Sequence, residues 1–120
     1  MSVVLLIDDE PGMGRLVGMS LSRDGTRVVQ VRDLEEAISA ARRERPNVVL
    51  LDLSIGREDG LAMLPRLRDE PSLSEVPIIV FTIHDSRKRE ALEEGADGFV
   101  AKPFKAASLH EVLDEFIEQA

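Results

Sequence analysis

The sequence predicts an α/β domain in which a five-stranded parallel sheet is covered by helices on both faces. Short, largely apolar runs alternate with stretches whose apolar residues recur at helical spacing. Runs of this kind are typical of strands buried on both faces, and strands that alternate with helices are typical of parallel sheets. The alternation continues without a linker, a repeat or a low-complexity tract, which predicts one domain over residues 1–120.

The strands are predicted from runs that are rich in β-branched residues and bounded by charged or turn-forming residues. In chain order they are Val3–Ile7, Val28–Val31, Val48–Leu51, Val76–Phe81 and Phe99–Ala101. The helices are predicted from apolar stripes between these runs. The stripes consist of Leu34, Ala37, Ile38 and Ala41, then Leu61, Leu64 and Leu67, and finally Leu109, Val112, Leu113, Phe116 and Ile117. Expected helix-boundary residues are the N-caps Asp33 and Ser108, the first-turn proline Pro11 and the helix stop Gly95.

The composition is that of a globular protein with an aliphatic core and an acidic surface. Apolar residues make up 43% and charged residues 32%, while the 3% of aromatic residues are all Phe. A net charge of −8 argues against unaided binding to nucleic acid or to an anionic membrane. With no cysteine, disulfides and thiolate metal sites are excluded. No apolar run is long enough to cross a bilayer, so we expect a cytoplasmic protein.

Polar residues follow the predicted strands at the point where each strand ends. They are Asp8, Asp9 and Glu10 after the first strand, Asp52 after the third, Thr82 after the fourth, and Lys102 and Pro103 after the fifth. Because the carboxyl ends of parallel strands share one edge of a sheet, these side chains are expected to meet there.

This set of side chains suits magnesium binding and phosphoryl transfer. Clustered carboxylates need a cation, and Lys102 supplies one positive charge against at least three negative ones. Mg²⁺ prefers carboxylate oxygens and bridges to phosphate, so the acid pair Asp8–Asp9 is expected to bind it. Asp52 can then act as a nucleophile that forms an aspartyl phosphate. Lys102 and Mg²⁺ would balance the phosphoryl oxygens, and Thr82 would donate a hydrogen bond to one of them.

Four segments occur in a fixed order: "LIDDEP", "VVLLDLSIGREDG", "VPIIVFT" and "GADGFVAKPF". Together they resemble the receiver domain of bacterial two-component response regulators, the CheY-like family, over nearly all of the chain. The resemblance implies a flavodoxin-like fold with five helices and strand order 2-1-3-4-5. It also implies that Asp52 is phosphorylated by a histidine kinase or a histidine phosphotransfer protein. The domain would be a phosphoryl acceptor with slow autodephosphorylation, not an enzyme.

The resemblance implies a role for each matching metal-site residue. Asp9 would bind Mg²⁺ directly, and Asp8 would act mainly through water. Asp52 and the backbone carbonyl of Ser54 would complete the protein ligands, and Mn²⁺ is an expected substitute for Mg²⁺.

The resemblance also implies a switch. Thr82 would be the switch hydroxyl, Lys102 the phosphate-binding lysine, and Phe99 the aromatic residue whose rotamer follows Thr82. The Lys102–Pro103 bond is expected to be cis. Phosphorylation would remodel the face formed by the fourth helix, fifth strand and fifth helix, which would engage an unknown output protein or domain.

Two residues depart from the family pattern close to the site. Ile83 stands where Ala or Gly is usual, and its side chain is expected to restrict access to Asp52 and slow phosphoryl exchange unless it points aside. Gly56 stands where many members carry Pro, which predicts a more flexible loop after Asp52.

The first helix is unusual because Gly14, Gly18 and Ser22 recur at four-residue spacing. This stripe is interpreted either as a frayed, solvent-facing surface or as a surface that lets a kinase helix approach closely. Outside it, His84 is expected to face solvent unless it borders the site. The Arg87–Arg89 run is expected to be a solvated helix face or part of the output surface.

Two other functions compete with a phosphorylated switch. A degenerate receiver would bind partners whatever its phosphorylation state, and Ile83 and Gly56 keep that alternative open. A magnesium-dependent phosphatase of the haloacid dehalogenase type, which carries its second acid two residues after the nucleophile, fits less well. Here the two aspartates are adjacent, Glu10 holds the position two residues on and is assigned no direct chemistry, and no cap insertion is present to enclose a small substrate. The sequence leaves open whether the domain stands alone or belongs to a longer regulator.

Overall fold

The computed structural model of the protein describes residues 2–21 and 25–117. Within these ranges the chain forms seven strands and five α-helices. In chain order they are β1 (Val3–Ile7), α1 (Met13–Leu21), β2 (Arg27–Val31), α2 (Leu34–Glu44), β3 (Val48–Leu51), β4 (Ser54–Ile55), β5 (Glu58–Asp59), α3 (Gly60–Asp69), β6 (Ile78–Thr82), α4 (Lys88–Glu93), β7 (Gly98–Ala101) and α5 (Ala106–Ile117). Each helix in these ranges is too short or too polar to span a bilayer.

Five of the strands form one parallel sheet in the order β2-β1-β3-β6-β7. The predicted order 2-1-3-4-5 is confirmed, because β6 and β7 are the fourth and fifth strands of this sheet along the chain. Ile7 at the end of β1 lies between Val31 of β2 and Leu51 of β3. The direction of the strand order therefore reverses beside the end of β1, where ligands bind in open α/β sheets.

The core has two layers, one on each face of the sheet. Leu5 and Ile7 of β1 belong to the cluster formed with α2 and α3, whereas Val4 and Leu6 belong to the cluster formed with α1 and α5. All four side chains are fully buried. Burial of a Leu, Ile or Val side chain contributes about 1.5–3 kcal/mol, so alternate residues of the same strand stabilise both layers.

Two predicted helix boundaries are confirmed by local geometry. The Asp33 carboxylate accepts a hydrogen bond from the Glu36 N–H at 2.8 Å and caps α2. Gly95 follows the end of α4 with φ +108°, a left-handed conformation that side chains other than glycine rarely adopt.

Three other predicted boundaries are wrong. Ser108 lies inside α5 because the Leu109 N–H already donates to the Lys105 carbonyl. Pro11 precedes α1, which begins at Met13. The fourth strand of the sheet begins at Ile78 and not at Val76, because the Val76 N–H turns back to the Leu73 carbonyl.

The segment after Asp52 is a short antiparallel hairpin, and the added flexibility expected from Gly56 stays a prediction. Ser54 pairs with Asp59 and Ile55 with Glu58. The turn has Gly56 at φ +58°, and Arg57 has no positive φ. A Gly at the first of two central residues is typical of a type II′ turn, which was the sequence signal for this hairpin.

The glycine stripe of α1 faces strand β2. A Cβ on Gly14 would lie 2.7 Å from Oε1 of Gln30, and a Cβ on Gly18 would lie 3.9 Å from Cγ2 of Val28. Gly14 therefore packs on Gln30 and is not part of a frayed surface, whereas Gly18 is half-exposed with one neighbour within 4 Å. Docking of a kinase helix on this stripe stays a prediction. Ser22, the third member of the stripe, lies outside the described residues.

Candidate functional site

Three charged side chains from separate strand ends meet at the carboxyl edge of the sheet. Asp8 follows β1, Asp52 follows β3 and Lys102 follows β7. Lys102 Nζ lies 2.6 Å from Oδ2 of Asp8 and 3.2 Å from Oδ2 of Asp52. It also lies 4.9 Å from the centre of the Phe81 ring. The structure thus brings together the predicted phosphoacceptor, the predicted phosphate-binding lysine and one of the two predicted acids of the metal site.

These three charges are almost completely removed from solvent. Asp8 is 0% and Asp52 6% exposed. Burial raises the pKa of the Asp8 carboxyl, and the hydrogen bond from Lys102 offsets part of that rise. Burial alone would lower the pKa of Lys102, but the hydrogen bond to Asp8 and the charges of Asp52 and Asp8 outweigh it and raise the pKa. Lys102 therefore remains a cation beside the phosphoacceptor.

Backbone groups hold both buried carboxylates in place. Asp8 Oδ1 accepts a hydrogen bond from the Glu10 N–H at 2.9 Å, and Asp52 Oδ1 accepts one from the Ser54 N–H at 3.2 Å. The Asp52 N–H itself donates to the carbonyl of Ile7 at 2.9 Å, which extends the sheet by one bond beyond β3. Each carboxylate thus accepts a backbone N–H hydrogen bond with one oxygen and a hydrogen bond from Lys102 with the other.

Asp9, the predicted direct metal ligand, is exposed and lies apart from this buried group. Its Oδ2 accepts a hydrogen bond from the Gly56 N–H at 2.6 Å, in the turn of the hairpin. Among the described residues, no three His, Cys, Asp or Glu side chains are placed so that they could hold a metal ion. Asp9 is therefore the one acid of the predicted pair that is not bonded to Lys102.

The chemistry of the donor set nevertheless fits a hard divalent cation. The carboxylates of Asp8 and Asp52 share one ammonium, Lys102, and Asp9 adds a third negative charge at the same edge of the sheet. Carboxylate oxygens are the protein ligands that Mg²⁺ prefers. A Mg²⁺ ion would therefore be held by residues that are already close in the fold, provided that Asp9 turns from Gly56 towards them.

Thr82 ends β6 and is fully buried. Its hydroxyl oxygen accepts a hydrogen bond from the His84 N–H at 3.3 Å, and its carbonyl accepts one from the Lys102 N–H at 2.8 Å. The imidazole Nε2 of His84 lies 2.7 Å from Ser54 Oγ. His84 therefore borders the site and joins the Thr82 loop to the hairpin after Asp52, although its side chain is exposed.

A second link between these two loops was missed by sequence reasoning. The guanidinium of Arg87 donates to both carboxylate oxygens of Asp59, at 3.0 and 2.9 Å, and to Glu90 at 2.9 Å. The hydrogen bonds to Asp59 and Glu90 raise the pKa of Arg87. Asp59 also caps α3 through the Leu61 N–H. Arg87 is thus paired and is not simply part of a solvated helix face.

The remaining predicted site residues lie around this group. Ile83 is 64% exposed and lines a cavity of about 360 Å³ together with Leu16, Lys102 and Phe104. Phe99 is half-buried against the core layer of α2 and α3. The rotamer change expected of Phe99, the access effect of Ile83 and the metal-binding role of the Ser54 carbonyl stay predictions.

The Lys102–Pro103 peptide bond, directly after the phosphate-binding lysine, is cis, as the resemblance implies.

Gln30 holds the acidic loop between β1 and α1, a role that the sequence did not indicate. Its side chain accepts a hydrogen bond from the Gly14 N–H at 2.7 Å and donates to the carbonyls of Asp8 and Glu10 at 2.6 and 2.9 Å. The available signal was a lone amide in an otherwise apolar strand, and its three bonds hold the acidic loop against β2.

The family model for the response regulator receiver domain matches residues 4–114. The chain belongs to this family. The receiver domain is 39% identical over 113 residues to the probable transcriptional regulatory protein TcrX of Mycobacterium tuberculosis. It is 42% identical over 108 residues to the probable transcriptional regulator ycf27 of Porphyridium aerugineum. The alignments cover 92% and 88% of this chain but only 46% and 44% of those relatives, so the chain spans less than half their length.

Solved structures share the fold over nearly the whole receiver domain. The receiver domain of a sensor histidine kinase from Pseudomonas aeruginosa has a TM-score of 0.84 and 29% identity, and the match covers 98% of both chains. That protein has a magnesium ion coordinated in its active-site cleft. The chemotaxis protein CheY4 of Vibrio cholerae has a TM-score of 0.85 and 26% identity, covering 97% of this chain and 98% of that one.

Proposed function

We propose that this receiver domain accepts a phosphoryl group on Asp52 from a histidine kinase or a histidine phosphotransfer protein, in a reaction that requires Mg²⁺. The observation that supports it most strongly is the position of Lys102 Nζ, 3.2 Å from Asp52 Oδ2, where both side chains are only 8% exposed. A cation beside a carboxylate nucleophile is what stabilises the charge of an incoming phosphoryl group. The magnesium ion described in a structural neighbour supports the choice of metal.

The chemical step is a displacement at phosphorus. A carboxylate oxygen of Asp52 forms a bond to phosphorus while the bond from phosphorus to the donor histidine nitrogen breaks and the imidazole leaves. Lys102 then pairs with a phosphoryl oxygen, and the Thr82 hydroxyl donates a hydrogen bond to another. Mg²⁺, when bound, would neutralise charge on the phosphoryl oxygens; Asp9, Asp52 and the Ser54 carbonyl would hold it directly and Asp8 through water.

The surface beside the site suits a phosphodonor helix or loop. Leu16 of α1 is 50% exposed and Ile83 is 64% exposed, and both line the same cavity as Lys102. Exposed apolar side chains that line one cavity together are more often part of an interaction site than exposed apolar side chains that are scattered singly. We assign this cavity to the phosphodonor protein. The output would use the separate face of α4, β7 and α5.

The proposal is tested by transfer from a phosphorylated histidine phosphotransfer protein carrying a radioactive label. The expected result is label on the wild-type domain with Mg²⁺ or Mn²⁺, and none with a chelator or with Asp52→Asn. Asp69→Asn, which changes an exposed carboxylate at the end of α3, is the matched control and should still be labelled. Label on Asp52→Asn equal to wild type would contradict the assignment of the phosphoacceptor.

A degenerate receiver is the second candidate, and the position of Asp9 favours it. Asp9 is bonded to the hairpin and is not grouped with the buried acids. In that case Asp52→Asn would leave both the labelling and the binding of partner proteins unchanged. Loss of labelling in the variant excludes this candidate.

A further inference from the structure

The turn of the β4–β5 hairpin is bonded to the acidic loop by one contact. The Gly56 N–H donates to Asp9 Oδ2 at 2.6 Å, a length typical of a hydrogen bond to a charged acceptor. Gly56 has φ +58°, and a Cβ at this position would lie 3.9 Å from the same oxygen. The residue that turns the hairpin therefore also supplies the donor that holds Asp9.

The hairpin is anchored on its other side, so this donor has a fixed position. Ser54 is bonded to His84, and Asp59 forms a two-pronged ion pair with Arg87. Asp59 also caps the following helix. Because both strands of the hairpin are held in this way, the Gly56 N–H is not free to follow Asp9 if that side chain rotates. Rotation of Asp9 therefore breaks the bond.

The Gly56 N–H occupies the oxygen of Asp9 that is bonded to the hairpin. Asp8 and Asp52 are buried around Lys102, whereas Asp9 is exposed and bound to the hairpin through Oδ2. Within residues 2–21 and 25–117, no group of three potential ligands is placed to hold a cation. A cation that takes Oδ2 of Asp9 as a ligand would displace the Gly56 N–H from that oxygen.

We propose that the Gly56 N–H and the divalent cation compete for the Asp9 carboxylate. This inference rests on the proposed Mg²⁺ site and concerns its regulation. The hairpin lowers the affinity for Mg²⁺, and Mg²⁺ binding in turn releases the Gly56 turn from the acidic loop.

The test uses the Gly56 amide as its own reporter in a Mg²⁺ titration of the ¹⁵N-labelled protein. The expected result is that the Gly56 amide proton moves upfield, as it does when a hydrogen bond to a carboxylate is lost, with the same midpoint as the Ser54 amide beside Asp52. Binding that shifts Ser54 while Gly56 keeps its metal-free position would overturn the inference but leave the proposed function intact. A titration with no shift in either amide would overturn both.

Two variants at the turn give an independent readout. An ester at position 56, made by placing glycolic acid there, lacks the N–H but can keep the positive φ of Gly56. It is expected to bind Mg²⁺ about 3- to 10-fold more tightly, the effect of removing one charge-assisted but exposed hydrogen bond. Gly56→Asn keeps the N–H and tolerates a positive φ, so its affinity should equal that of wild type. Equal or weaker binding by the ester variant would contradict competition. The wild-type titration decides the question if the ester variant does not fold.

Discussion

The ammonium of Lys102 lies 2.6 Å from Oδ2 of Asp8, and both side chains are nearly excluded from solvent. This pair joins the first strand of the sheet to the last segment before α5, 94 residues later. A second carboxylate, Asp52, shares the same ammonium at 3.2 Å. One cation thus holds together the two acids that the proposed chemistry needs.

Removal of this cation is expected to destabilise the domain strongly. Lys102→Met keeps the length of the side chain but leaves Asp8 and Asp52 buried without a counter-charge, which costs about 3–5 kcal/mol. Urea unfolding in the absence of divalent cations measures the loss. The double variant Asp8→Asn with Lys102→Met should recover part of it, because one buried charge is then removed. An unchanged midpoint for Lys102→Met would contradict the account of the buried charges.

The two glycines of α1 are expected to respond in opposite ways to alanine. Gly18→Ala adds a methyl group in ordinary contact with Val28, so it should stabilise the domain by about 0.5–1 kcal/mol through helix propensity. Gly14→Ala places the methyl group 2.7 Å from Oε1 of Gln30 and should be destabilising by about 1–3 kcal/mol. Urea unfolding distinguishes the two. Equal stabilisation by both changes would mean that Gln30 moves away without penalty.

The stability of the domain is expected to fall at acidic pH partly through Glu70. The hydrogen bonds from Arg42 and then Ser72 lower the pKa of this carboxyl from its ordinary value of 4.5 to about 2. Because the folded-state pKa is depressed, its contribution is fully present above pH 4.5 and is lost as the pH falls towards 2.

The measurement is the free energy of unfolding of wild type and Glu70→Gln between these pH values. The difference between the two proteins should shrink steadily as the pH falls, and Arg42→Gln should behave like Glu70→Gln. A difference that stays constant across the window would show that Glu70 titrates normally in the folded domain.

Ile83 is expected to slow phosphoryl exchange at Asp52. Its exposed side chain lines the same cavity as Lys102, whose ammonium lies 3.2 Å from Asp52 Oδ2. A donor that approaches Asp52 from this side would meet Ile83. Ile83→Ala should therefore be phosphorylated by acetyl phosphate several-fold faster and should lose the group faster, as read by intact mass over time. Leu92→Ala, which truncates an exposed apolar residue of α4, is the control and should match wild type. Rates for Ile83→Ala that also match wild type would show that the side chain points aside.

The parts of the fold that depend on local patterns were predictable from the sequence. The first and third strands were predicted to the residue, because their apolar runs end abruptly in charged residues. The meeting of Asp8, Asp52 and Lys102 followed from the topology of a parallel sheet, in which every strand ends at one edge.

The parts that depend on long-range contacts were not predictable in the same way. The bond between Asp9 and Gly56 spans 47 positions and requires a hairpin whose turn lies over the acidic loop. Gln30 is bonded to that loop across 22 positions, and nothing in its own strand identifies a partner. Arg87 lies in a charged run typical of solvated helices, and only the hairpin brings Asp59 within its reach.

The intact mass of the domain after long incubation with acetyl phosphate tests most directly whether Asp52 is the magnesium-dependent phosphoacceptor. Wild type with Mg²⁺ is expected to gain one phosphoryl group, wild type with a chelator in place of Mg²⁺ none, and Asp52→Asn none under either condition. Ile83→Ala should reach the same end point sooner. Equal phosphorylation of Asp52→Asn, or full phosphorylation of wild type without a divalent cation, would contradict this role of Asp52.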